Sequence, residues 1–403
     1  VAVVSEPPVN APYFVVKRLI QNDGNPVWAY YQERMDNRSW ENQESAWCVD
    51  AGLAYPQSEP AATLTASSSA GIPTLQQPKL IFGGANYSSQ SYADIVDPTG
   101  EGAVASITVV GGVVTAASVS GTLTGYTNPQ FVVIDPQGLG GNAAINIQLG
   151  NPATLTANPG VFSNVAGNGA AGDVIRMGLT GLMTVTGYNS STSLAVNITR
   201  AITPVIQDDP DNTAAPAASG EWSIATPITT VTGVNHLEGM TVSILADGIV
   251  VQPQVVTNGQ VILPQPASKI VVGLGYTCQL QTLYLDIQAP ATVQSRRKLI
   301  DQIIARIEAS GQPFDIGTNQ PDASIQPGQQ TVPWANMTPG QTSISGNQPL
   351  QPYALFTGDV YADVFDQWGY DKGQAAFQQT NPVPLNLLGA ILWTRIGDDP
   401  SEQ

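Results

Sequence analysis

The chain has 403 residues, enough for two or three domains with separate cores, and its 42% hydrophobic content against 11% charged residues is not that of a disordered chain. Its 31 acids outnumber 14 bases, a net charge of −17, which argues against sequence-independent binding of nucleic acid through a basic patch. No run approaches the roughly 18 apolar residues that cross a membrane as a helix.

Gly (39) and Pro (31) punctuate short Val, Ile, Thr and Tyr runs, so the chain is expected to be all-β. Tyr13 to Ile20 and Val27 to Tyr31 flank Asn22-Asp-Gly-Asn-Pro26, which predicts a hairpin turning at Gly24; Trp40, Trp47 and Val49 continue its sheet. Residues 57–78, rich in Ser, Ala, Thr and Pro, read as a linker. An internal repeat follows. Tyr87, Asp97-Pro-Thr-Gly100 and Ala103 are echoed by Tyr126, Asp135-Pro-Gln-Gly138 and Ala143, an offset of about 39 residues that suits one β unit repeated side by side. Between the copies, Ile107 to Val110 and Val113 to Thr115 predict a hairpin across Gly111-Gly112.

A third module, Val161 to Ile224, has five-residue strands separated by Gly or Asn and an acidic, Pro-rich excursion at 207–218, which suggests a small closed barrel. Two more hairpins are expected to turn at Asp247-Gly248 and Asn258-Gly259, and Lys269 to Gly273 and Gln281 to Ile287 extend their sheet. Ile300, Ile303, Ile304 and Ile307 fit one helix, while Ile303, Ala305 and Ile307 fit one strand face. Residues 311–350 read as an extended Gly, Pro and Gln loop, and 351–403 as a last β unit.

Few residues offer chemistry. His236 is the only histidine, so any nucleophile-base site would be built on it; its neighbours Leu237, Glu238 and Gly239 favour a turn or packing role. Asp208-Asp209-Pro-Asp211 is the densest acidic cluster and reads as a solvated loop rather than a glycosidase pair. Asp97 and Asp135, at equivalent repeat positions, are oxygen donors of the kind Ca²⁺ takes, without an EF-hand pattern. Arg296-Arg-Lys298, the only basic run, fits pairing with acids of a neighbouring subunit better than a DNA contact. Cys48 and Cys278 match no metal or redox spacing and read as buried small hydrophobes, with one disulfide left open. No catalytic, cofactor-binding or metal-binding residue is assigned.

Three stretches together resemble the tail nozzle (tail tubular B-like) proteins of short-tailed bacteriophages. They are Tyr13-Phe-Val-Val-Lys-Arg18 through Glu33-Arg-Met-Asp36 to Asp50-Ala-Gly-Leu53; Val231 to Gly248, with Pro266 to Thr277 and Leu280-Gln-Thr-Leu283; and Leu355-Phe-Thr-Gly-Asp359, Trp368 and Asn381-Pro-Val-Pro-Leu385. The resemblance implies a discontinuous antiparallel platform: 1–56 as its first part, 226–310 as its second, the loop 311–350, and 351–403 as the C-terminal unit. Inserted are a linker with tandem repeats at 57–150 and a small β-barrel at 151–225, similar to a phage module named after a catalytic-cysteine half-domain of ubiquitin-activating enzymes. That module has no Cys here, so the label carries no activity. Relatives suggest a strand for 296–308. They also carry sequence before the first stretch, which, with the start VAVVSEPPV lacking Met and signal-peptide pattern, is expected of a processed product or fragment.

The implied function is structural and non-enzymatic: a virion tail subunit, without cofactor or membrane-spanning segment, in a sixfold homo-oligomeric ring. Its partners would be a tail adaptor ring, tail fibres or spikes, and genomic DNA passing an acidic, non-adhering lumen without sequence-specific binding. An adhesion module touching the host surface through residues 57–225 is the alternative. A tail-associated polysaccharide-degrading enzyme is the third reading and lacks the paired-carboxylate constellation.

Overall fold

The computed structural model describes residues 2–6, 9–22, 25–35, 44–68, 74–127, 129–147, 149–178, 181–200, 217–218, 220–283, 285, 298–318, 335–337, 355–364 and 373–397. The fold is all-β, in several antiparallel sheets. Apart from strands, only a single 3-10 turn, Asn235–Leu237, is regular among these residues. Two compact units emerge: one holds 1–34 and 53–272, the other 35–52, 273–344 and 353–403.

In the first unit, Val9–Asn22 and Asn25–Arg34 form the expected hairpin, joined by Ala2–Glu6; its tip at Gly24 lies outside the described residues. One hairpin face carries Arg18 and Glu33, paired through both guanidinium contacts at 2.8 and 2.9 Å. The other carries Lys17, whose ammonium lies 4.8 Å from the centroid of the Trp28 ring, a cation-π arrangement.

The repeat forms three two-stranded ladders: Lys79–Ala85 with Gly141–Asn146, Tyr92–Val96 with Gln130–Ile134, and Ala103–Val110 with Val113–Gly121. Every ladder joins a strand of one half to a strand of the other. The copies are therefore exchanged rather than side by side, which corrects the reading from the offset. Gly111 and Gly112, at φ +59° and +81°, make the tight turn that folds one half back on the other. Two small cores result, one around Tyr126, Val119 and Ile147, the other around Tyr87, Val114 and Ile145.

The next module is a half-barrel of seven strands, including Leu149–Asn158, Val174–Met177, Gly181–Ser190, Ser193–Arg200 and Trp222–Ala225. Its sheet curls until Ser58 bridges Ile224 and Leu64 bridges Ala217, around Leu64, Leu155, Ile175, Met183, Leu194 and Trp222. The stretch read as a linker contributes two of its strands, Thr63–Ser68 and Thr74–Leu75, because Leu64 inserts into this core and both strands find ladder partners in Leu149–Asn158. Asp173, 1% exposed, accepts hydrogen bonds from the Gly167, Gly169 and Ala170 N–H groups and the Thr226 hydroxyl, tying the 161–173 loop to the strand that leaves the module.

Both turns form where expected, with Asp247, Gly248, Asn258 and Gly259 all at positive φ, but only Thr241–Ala246 and Ile249–Val255 pair as a hairpin; beyond Asn258-Gly259 the strand Gln260–Ala267 pairs instead with Ile228–Thr232, which corrects the second hairpin. Glu238 accepts from the N–H groups of Asn258 (2.9 Å) and Gly259 (2.7 Å), and Leu237 is fully buried. The distinctive His236-Leu-Glu-Gly239 stretch thus organises a turn.

In the second unit, Lys298–Ser310 is a strand, with Ile300, Ile303, Ala305 and Ile307 in the core. It is the centre of a three-stranded antiparallel sheet between Phe356–Asp363 and Leu387–Ile396. A second sheet contains Cys278–Gln281, Ala375–Gln379, Phe314–Thr318 and Ala335–Met337. The last two strands lie within the segment read as an extended loop, where Phe314 and Ile316 are buried against Phe377.

Candidate functional site

Of the residues singled out from sequence, His236 lies in the 3-10 turn with its ring 6.2 Å from that of Tyr31, tilted by 56°. The 208–211 cluster and Arg296-Arg297 fall outside the described residues; Lys298 is buried. The cysteines correct the sequence reading: Cys278 is exposed and Cys48 half-buried, and neither forms a disulfide. Cys278 opens a strand that is mostly exposed, so residue type alone misplaced it. The Tyr276 hydroxyl is hydrogen-bonded to Cys48, and its pKa is pushed up to about 12 by burial and then by the nearby Cys48 and Cys278 sulfurs.

Asp97 and Asp135 form a reciprocal pair of latches. Asp97 accepts from the N–H of Thr99 (2.8 Å) and Gly100 (2.7 Å) in its own turn, and from the N–H of Thr127 (3.0 Å) in the other half. Asp135 accepts from Leu139 (3.0 Å) and Gly140 (2.9 Å) in its own turn, and from the hydroxyls of Ser88 (2.6 Å) and Ser91 (3.0 Å) in the other half. The Ser88 hydroxyl and Gly140 N–H bonds hold the Asp135 carboxyl well below the usual carboxylate range. The tyrosines complete the exchange: Tyr126 OH accepts from Ala103 N–H (2.7 Å) and Tyr87 OH from Ala143 N–H (3.0 Å). Each ring lies against a glycine of the opposite turn, Gly100 under Tyr126 and Gly140 under Tyr87, where a Cβ would overlap the ring. These oxygens are engaged by internal donors, so both aspartates work as loop anchors.

A junction that sequence reasoning missed centres on Asp247. Its carboxylate is paired with Lys79 Nζ (2.7 Å) from the first repeat strand and Arg176 Nη2 (2.8 Å) from the half-barrel, and accepts from the N–H groups of Ser268 (3.0 Å) and Lys269 (2.7 Å). Burial opposes the charge, and the Lys79 and Arg176 cations together with these hydrogen bonds outweigh it, so the carboxyl is held well below its ordinary range. Arg176 also donates to Ser268 Oγ (2.9 Å), Gln57 bridges Ser223 and the Ser268 carbonyl, and Gln265 accepts from Leu80 N–H (2.9 Å). Three modules are thus bolted together around one buried carboxylate.

Exposed apolar side chains concentrate on open sheets. The outer hairpin face presents Val15, Leu19, Trp28 and Tyr30. The three-stranded sheet of the second unit has its core face covered, while its other face presents Tyr361, Ile391 and Trp393, with Ile304 between Tyr361 and Ile391. Arg306 pairs with Asp359 on that face, which raises the Arg306 pKa and lowers that of Asp359.

A scan against protein-family models finds no match, and no curated protein matches the sequence. No helix among the described residues is long and apolar enough to cross a membrane.

Proposed function

We propose that this chain is a non-catalytic structural subunit of a bacteriophage tail, a nozzle-type ring around the path of the ejected genome. The carrying observation is the concentration of large exposed apolar side chains on open sheets, including Trp28, Tyr30, Ile391 and Trp393, in a chain of net charge −17. Contiguous apolar surface of this kind is what subunit contacts cover. An assembly of such chains would present an acidic wall to DNA, which repels phosphate and offers no counterion-releasing grip. Asp97 and Asp135, singled out in sequence as oxygen donors of the kind Ca²⁺ takes, and Glu238, beside the single histidine, are engaged in holding turns, which supports a building-block role. The nozzle assignment itself comes from the sequence resemblance, and the adaptor ring and the fibres or spikes are the partners that go with it.

Negative-stain imaging of the purified chain tests the reading. Closed rings with a central hole are expected; uniform small particles at every concentration would overturn it. A second reading, host adhesion, is favoured by Tyr92, Val96 and Val132, exposed together on one ladder of the repeat module. Changing Tyr92 and Val96 to Ser should then reduce adsorption while leaving rings intact.

A further inference from the structure

Cys48 and Cys278 are far apart in sequence, yet the second unit brings both to one short stretch of backbone. The Cys48 N–H donates to the Pro382 carbonyl (2.9 Å), and Cys278 is the ladder partner of Gln379, just before it. Val49, the residue after Cys48, packs so closely on Gly273 that a Cβ added there would lie 2.8 Å from the Val49 Cβ. Tyr276 spans what remains. Its hydroxyl is hydrogen-bonded to Cys48, and the Cys278 sulfur is near enough to raise the cost of a negative charge on it.

Two thiols around one phenol offer few chemistries. A structural metal takes about four ligands, and among the described residues no third His, Cys, Asp or Glu stands with the pair to hold one. A thiol-imidazole site would need the single histidine, and His236 lies against Tyr31 instead. What two thiols do without further help is exchange with a disulfide. Their access differs as that reaction requires: Cys278 is exposed, while Cys48 is half-buried in the irregular stretch 46–49, outside any ladder. The exposed thiol meets the oxidant first, and its sheltered neighbour, on backbone that no ladder fixes, is placed to resolve the product.

We infer that Cys48 and Cys278 are a dithiol pair that closes to an intrachain disulfide in the presence of a small-molecule disulfide such as oxidised glutathione. The Cys278 thiolate attacks one glutathione sulfur and breaks the S–S bond, and the first glutathione leaves as a thiol with the Cys278 proton. The Cys48 thiolate then attacks the Cys278 sulfur and displaces the second glutathione, which takes the Cys48 proton. Two cysteine thiols are oxidised and one glutathione disulfide is reduced to two thiols. Tyr276, its pKa pushed up to about 12, keeps its proton at neutral pH and can donate it in a hydrogen bond to the Cys48 sulfur as charge develops there. The bridge fastens the 46–49 stretch to strand Cys278–Gln281. In a reducing compartment the pair stays open, as the structure has it; in an oxidising one it locks. The inference does not depend on the ring reading.

The test uses the full native chain, reduced, desalted and incubated with oxidised glutathione. Remaining thiols are counted in guanidinium, and unreduced tryptic peptides are mapped by mass spectrometry. Loss of both thiols to a 48–278 bridge within one chain is expected, with a rise in melting temperature that Cys48→Ser and Cys278→Ser chains do not show. In Cys48→Ser, Cys278 is expected to stop at the glutathione adduct. The urea-unfolded native chain should bridge roughly tenfold more slowly or worse, because folding raises the concentration of one thiol at the other. A folded chain that keeps its thiols, ends as two glutathione adducts, or bridges only between chains through Cys278 would overturn the inference, as would equal bridging rates folded and unfolded. The ring reading stands or falls separately, on imaging.

Discussion

Asp247 brings two cations and two backbone donors to one carboxylate in a mostly buried place. Asp247→Asn removes the negative charge that Lys79 and Arg176 share, and removal of one member of a buried ionic set costs about 3 kcal/mol or more. The expected outcome is a lower urea midpoint with half-barrel and repeat unfolding together. The folded carboxyl is depressed below the unfolded value of about 3.9, so its contribution is complete at neutral pH. It begins to shrink as the unfolded chain takes up a proton near pH 4, and is lost as the pH falls through the folded value. The gap between native and Asp247→Asn stability, measured against pH, should be flat above about pH 5 and close below pH 4. A gap that widened on acidification would contradict this assignment. The turn at Asp247-Gly248 was legible in sequence, since Asp-Gly between apolar runs demands positive φ. The ionic role was not, because Lys79, Arg176 and Ser268 are distant in the chain and no local pattern links them.

At the scale of elements, the repeat module is an exchanged pair of halves, and its latches come in equivalent couples. Tyr87→Phe and Tyr126→Phe each remove an acceptor from a backbone N–H, and each is expected to cost about 1 kcal/mol, the usual net value of such a bond. Thermal unfolding should lower both variants by similar amounts; a large effect from one and none from the other would break the equivalence. Gly100→Ala and Gly140→Ala push a methyl into the opposing ring and should each cost about 1–3 kcal/mol through overpacking. Sequence offset revealed the duplication but not the exchange, since side-by-side and exchanged halves share one period and differ only in which strands pair. The same limit hid Thr63–Ser68: a run of Thr, Ala and Ser around one buried Leu64 has too little apolar alternation to mark a strand. By contrast, the isoleucines of 300–307 allowed two geometries, and the strand prevails because one strand face packs into the core formed with Phe314, Ile316 and Val360.

At the scale of the whole molecule, composition foretold the all-β class through its Gly, Pro and β-branched residues, whereas the surfaces proposed for assembly could not be read from it. Trp28, Tyr30, Ile391 and Trp393 look like core residues in sequence, and only the sheets show that they face outward. Such a chain is expected to protect these faces by self-association, and a net charge of −17 requires that contacts form where charge is sparse. Replacing Ile391 and Trp393 together by Glu should weaken assembly while leaving the melting temperature of the separated chain nearly unchanged, because both side chains are exposed in it. The measurement that bears most directly on the structural-subunit account is the mass of the native chain in solution by multi-angle light scattering across a dilution series. The account predicts one species at a fixed multiple of 42.2 kDa that persists on dilution, and a single 42.2 kDa species at all concentrations would contradict it.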